Sequence, residues 1–183
     1  MAMVALLVVA SGVVRFGSGD EPQIPLEVDA VEVDQMTIIG QTSAFIDGIP
    51  HVFVAGSVKE GEVVYANGAL GMTLTITSRM ADGTPIPLTK DNQITLVRNH
   101  KVEISGIGFA PDQDVNAWLF SDPVLVGNTT TNSRGAVLES FDVPVKIADG
   151  SHTLQIKLTS ADGKIVNFGI PVLVVSDLAK SST

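Results

Sequence analysis

The 183-residue chain contains no cysteine. That excludes disulfide staples, thiolate nucleophiles and cysteine-built zinc sites together, and leaves packing to supply stability. Positive charge is scarce: 11 Lys and Arg stand against 20 Asp and Glu, for a net charge of −9. Cations such as Arg98, Lys101 and Lys146 are scattered, so no basic stripe exists to neutralise phosphates. This argues against nucleic acid as a partner. Aromatic residues make up only 5%, with one Trp and one Tyr. A sustained 3.6-residue apolar period is missing, and no apolar run approaches the ~20 residues that span a bilayer as a helix.

What is present is aliphatic. Hydrophobic residues account for 45% of the chain, dominated by Val, Ile, Leu and Ala, enough to bury a real core in one or two domains. Abundant Val, Ile and Thr favour pleated strands over helices.

The first residues, "MAMVALLVVASGVV", form an apolar run from Met3 to Val9, interrupted at Ser11-Gly12 and ended by Arg15. Val8-Val9-Ala10 resembles a small-residue cleavage site, but no Lys or Arg precedes the run. Three readings fit: a remnant of a signal or membrane anchor, an ordinary first strand, or a strand that pairs with a partner through Val4, Leu6, Val8 and Val13. A membrane is a partner only under the anchor reading. "RFGSGDEPQIP" reads as a linker, so residues 1–22 stand apart from the rest of the chain.

From Gln23 onward, short apolar runs alternate with turn chemistry. In "IPLEVDAVEVD" the apolar parity switches near Ala30, the mark of a bulge or strand end. "MTIIG", "SAFIDG", "HVFVAG" and "EVVYANG" come next, each closing on Gly, Asp-Gly or Asn-Gly. In "LGMTLTITSRMADGTPI", Met72, Leu74 and Ile76 oppose Thr73, Thr75 and Thr77, giving one buried and one wet face. The triplet Ala-Asp-Gly recurs at 81–83, 148–150 and 161–163 and predicts three hairpin turns with a left-handed glycine. Too few alternating oxygens surround these triplets for calcium loops.

A second unit begins near Asn92: "QITLV", "HKVEISG", "VNAWLF", "VLVGNTT", "GAVLESFDV", "SHTLQIKLT" and "KIVNFGIPVLVV". Seven short strands at roughly ten-residue spacing indicate an immunoglobulin-like sandwich. Pro144 and Pro171 belong at edges or bulges, since each removes a ladder donor. The predicted fold is therefore all-β, with two tandem β-sandwich units at 23–90 and 91–176, the C-terminal one immunoglobulin-like, and a polar tail at 177–183.

Several motifs occur in an order that resembles Ig-like modules of secreted and cell-surface proteins of Actinobacteria and related bacteria. They are "SGIGFAPDQDVNAWLFSDPVLVG", "SRGAVLESFDVP", "DGSHTLQIKLTSADGK" and "VLVV", preceded by "SAFIDGIPHVFVAG" and "LGMTLTITSRMADGTPIPL". The resemblance covers roughly residues 40 to 176. It implies an exported, β-rich protein at or beyond the cell surface, without catalytic residues or cofactors.

Candidate chemistry is sparse. Asp112 and Asp114 follow Pro111 in a turn and lack the separation and desolvation of a catalytic carboxylate pair. His51, His100 and His152 are far apart in sequence, each within a candidate strand, whereas zinc needs three or four converging ligands. No Gly-x-Ser-x-Gly elbow and no phosphate-cradling loop occurs. "NTTTNS" reads as an exposed loop whose sequon at Asn128 is a possible glycan acceptor. On "VNAWLF", Val115, Ala117 and Leu119 share one face, and Asn116, Trp118 and Phe120 the other. Either Trp118 is a core tryptophan of the sandwich, or the Asn116–Trp118–Phe120 face is an interaction patch.

These readings point to a non-catalytic structural or adhesive module whose partners are copies of itself or surface proteins and glycans. Two alternatives stand beside it. One is a self-assembling subunit of a filament, sheath or virion surface, joined through the apolar N-terminus. The other is a carbohydrate-binding module that stacks sugars on Trp118 and Phe120.

Overall fold

The computed structural model of the chain describes residues 41–59, 61–120 and 123–178. The apolar segment with Val4, Leu6, Val8 and Val13, the linker and the strands expected between 23 and 40 lie outside the described residues. Eleven strands are described, and no α-helix among the described residues. They are β1 (Gln41–Ile46), β2 (Ile49–Lys59), β3 (Glu62–Asn67), β4 (Met72–Arg79), β5 (Ile94–Val97) and β6 (Lys101–Ile107), then β7 (Asp114–Phe120), β8 (Val124–Thr130), β9 (Val137–Asp142), β10 (Gly150–Thr159) and β11 (Ile165–Val175).

Their pairing follows one path, β8-β7-β10-β11-β1-β2-β3-β4-β6-β9, with β5 added in parallel along the end of β11. The two ends of the path, β8 and β9, lie side by side, so the sheet curls almost into a closed barrel. Residues 91–176 supply β8-β7-β10-β11 at one end of this path and β6-β9 at the other. Residues 41–90 do not build a sandwich of their own. Their meander β1–β4 enters the same sheet, pairing with β11 on one side and β6 on the other. The boundary expected near residue 90 therefore divides no two sheets, because the edges of β11 and β6 are taken up by β1 and β4.

One core follows from one sheet. Ala44, Phe53, Tyr65 and Leu74 from the meander join Val102, Leu119, Ile156 and Phe168 in a single buried cluster. Phe53 and Phe168, both fully buried, meet edge to face with ring centroids 4.7 Å apart. A small second cluster gathers Ile86, Val97 and Val175 under the connection from β4 to β5.

Local chemistry sets the turns. Asp47 and Gly48 both take positive φ (49° and 79°), the two-residue hairpin that Asp-Gly favours. The Asp47 carboxylate accepts the Ile165 N–H at 3.0 Å, tying this hairpin to the start of β11. Asn67 receives the N–H groups of Ala69 and Leu70 and donates to the Val52 carbonyl, fixing the β3–β4 turn. Two of the Ala-Asp-Gly triplets are turns with left-handed glycines, Gly83 at φ 88° and Gly163 at φ 82°. The third differs: Gly150 opens β10 at φ 136°, while Asp149 pairs with Arg98 at 2.6 Å and accepts the Ser176 hydroxyl. Pro144 follows β9. Pro171 sits inside β11, where its outer neighbour changes from β1 (up to Gly169) to β5 (from Val172). Its missing N–H thus falls at a gap in the ladder.

Candidate interaction surfaces

On β7, Val115, Ala117 and Leu119 enter the core, which places Trp118 and Phe120 on the outer side of the sheet. Both are nonetheless buried, with 4% and 6% of their surfaces exposed, while Asn116 beside them is half-buried. Neither reading of Trp118 holds in its simple form. It is not part of the barrel core, and with Phe120 it offers no open platform on which a sugar could stack. The indole N–H is buried without an acceptor among the described residues. Leaving such a donor unpaired costs about 1–3 kcal/mol.

The exposed apolar surface lies elsewhere. Cross-strand register aligns Val54, Ala66, Thr73 and Ile107 in one row across β2, β3, β4 and β6. The next row carries Val64, Thr75, Ser105 and Leu138 on β3, β4, β6 and β9. Val52, Val54, Ile107 and Leu138 are 49–73% exposed. Ion pairs Arg79–Glu103 (3.5 Å) and Lys101–Asp142 (2.6 Å) bound this stripe at one end. A sequence signal for it exists: in "HVFV", Val52 and Val54 flank Phe53, and one parity of an aliphatic strand must face outward.

The seam between β8 and β9 is joined by side chains. A Cβ on Gly127 would overlap the Phe141 ring, and the Thr129 hydroxyl donates to the Glu139 carboxylate at 3.4 Å. Asn128 is exposed on β8, so the expected loop at 128–133 is strand up to Thr130. Thr131 is buried, and its hydroxyl donates to the Ala110 carbonyl at 2.6 Å.

The remaining candidates stay apart. Asp112 takes positive φ (53°) in the turn and Asp114 begins β7, both exposed. The Ala81 N–H donates to His100 Nδ1, while His152 Nε2 lies 2.9 Å from the Ala148 carbonyl and His51 is half-buried on β2. Among the described residues no three His, Asp or Glu side chains gather around a point that could hold a metal. Perturbed groups sit in turns and core. The Asp82 carboxyl is held below its usual range by the Thr84 N–H, which donates to it at 2.9 Å. Lys164, 2.6 Å away, and the Ser160 hydroxyl lower Asp162, and Asp162 in return raises Lys164. Burial pushes the Tyr65 hydroxyl up to about 12.

No protein-family model matches the chain, and no curated protein matches it. Among solved structures it is similar to an AA10 lytic polysaccharide monooxygenase from Streptomyces lividans, with 9% identity and a TM-score of 0.35. The match covers 53% of this chain and 63% of that one.

Proposed function

We propose that the protein is a non-catalytic structural or adhesive module of an exported bacterial surface protein. The observation that supports a binding role is the set of exposed aliphatic side chains Val52, Val54, Ile107 and Leu138 on the outer face of one continuous, curled sheet, with ion pairs at one end. Exposed apolar side chains gathered on one sheet face mark contact sites on proteins. A barrel with one continuous core presents such a face rigidly, as a positioning or adhesive module requires. The surface address follows from the resemblance of residues 40–176 to Ig-like modules of secreted proteins.

Two measurements test the proposal together. Protease treatment of intact producing cells should remove the protein, and the purified protein should bind isolated cell envelopes. Val54→Asp with Ile107→Asp should weaken that binding at least tenfold while leaving the circular dichroism spectrum unchanged. A protein found only inside cells, or envelope binding indifferent to both substitutions, contradicts it.

A further inference from the structure

The turn between β3 and β4 holds the chain's one Asn-Gly pair, Asn67-Gly68. Asn67 closes β3, and its side-chain Oδ1 accepts the Ala69 N–H at 3.1 Å and the Leu70 N–H at 3.2 Å. Two backbone donors on one carbonyl oxygen draw electron density from Cγ and stabilise negative charge that develops on Oδ1. The nucleophile stands next in the chain. The Gly68 N–H has no acceptor among the described residues, and Gly68 itself is exposed. Having no side chain, Gly68 leaves the approach of its nitrogen to Cγ unobstructed. Asn132 supplies a comparison within the same molecule. Its Oδ1 also accepts two backbone N–H groups, from Arg134 at 2.9 Å and Ala136 at 3.1 Å, but a serine follows it.

We propose that Asn67 is a site of spontaneous covalent modification, at which the Gly68 amide nitrogen closes a succinimide ring on Cγ. A base in solution takes the Gly68 amide proton, and the nitrogen's electron pair forms the N–Cγ bond. The charge passes to Oδ1, between the Ala69 and Leu70 donors, and returns as the Cγ–Nδ2 bond breaks. Nδ2 leaves as ammonia with a proton from water. A water molecule then opens the ring at either carbonyl, leaving aspartate or isoaspartate at position 67. The structure makes this exchange consequential. Asn67 Nδ2 donates to the Val52 carbonyl on β2 at 3.2 Å, and a carboxylate in its place sets two acceptors against each other. Isoaspartate also adds a methylene to the main chain where β3 enters the turn, opposite Met72. Both changes act beside Val52, one of the exposed aliphatics of the outer face, and add negative charge to a chain already at −9. The covalent step does not depend on the binding role proposed for that face.

Incubation of the folded, full-length protein at mildly alkaline pH tests this, with peptide mapping by mass spectrometry and isoaspartate methyltransferase labelling at intervals. Position 67 is expected to convert before Asn132 and every other asparagine, giving isoaspartate together with aspartate. Isoaspartate is the mark of the ring, since direct hydrolysis of the side-chain amide yields aspartate alone. Gly68→Ala should slow the conversion roughly tenfold, because its methyl group hinders the attacking nitrogen. The circular dichroism spectrum should not change, since Gly68 does not take positive φ and a Cβ there meets nothing within 4 Å. An Asn67 that stays intact or converts only after Asn132 overturns the proposal. So does conversion to aspartate without isoaspartate, or a Gly68→Ala protein that converts as fast as wild type.

Discussion

Replacing Gly127 by Val puts the closure of the barrel to a test in which the sign is informative. Gly127 lies within β8 and does not take positive φ, so its backbone admits a branched side chain. In an open strand, exchanging Gly for Val removes a flexible residue and improves stability by roughly 0.5–1 kcal/mol. Here the new Cβ meets the Phe141 ring on β9, which packs against the core across the seam. Overpacking of this kind costs about 1–3 kcal/mol. The net effect should be destabilisation of roughly 1–2 kcal/mol. Phe141→Ala alone should also destabilise, and in the double variant the two effects should fall short of their sum by at least ~0.5 kcal/mol, as for residues in contact. Urea denaturation of the four proteins, followed by far-UV circular dichroism, measures all the terms. A stabilised Gly127→Val protein, or strictly additive effects, would refute the contact and with it the closed seam.

Tyr65 is the only tyrosine, so ultraviolet absorbance reports its ionisation cleanly. Its midpoint should lie near 12 in the folded protein and near 10 in urea, and an ordinary midpoint without denaturant would contradict its burial. The raised value means that folding favours the neutral hydroxyl. This contribution, roughly 2–3 kcal/mol, is whole below pH ~10 and is lost as pH rises through about 12. Asp162 has the opposite sense: its lowered pKa contributes stability above the usual carboxylate range, lost as pH falls through the folded value. Wild type should therefore exceed Asp162→Asn in stability at neutral pH, with the gap closing in acid; a pH-independent gap would show that the carboxylate's charge is not what matters.

The strand positions are legible in the sequence because each strand carries its own period and its own turn residues. "SAFIDG" gives β1 and its hairpin, "HKVEISG" gives β6, and the alternation of Met72, Leu74 and Ile76 gives the buried face of β4. Pairing partners are not legible in the same way. Nothing within "SAFIDG" says that β1 will pair with β11, more than a hundred residues away, because ladder hydrogen bonds are made by backbone common to every residue. The meander consequently reads as a unit of its own, although it fills the gap between β11 and β6. Trp118 shows a second limit. Parity correctly sets it opposite Val115, Ala117 and Leu119, but parity does not say whether the far side of a sheet is wet or covered. The third Ala-Asp-Gly triplet departs from the other two because Asp149 is engaged by Arg98 and Ser176, partners distant in sequence.

The central structural claim is a single barrel with one core in which residues on both sides of position 90 unfold together. Tyr65 and Trp118, one on each side and each the only residue of its type, report the two parts separately. In urea, Tyr65 absorbance and Trp118 fluorescence should trace superimposable transitions. Phe168→Ala, which removes half of the Phe53–Phe168 contact, should lower both midpoints together by the equivalent of about 3–5 kcal/mol. Two separate transitions, or a Phe168→Ala shift confined to the Trp118 signal, would contradict the shared core.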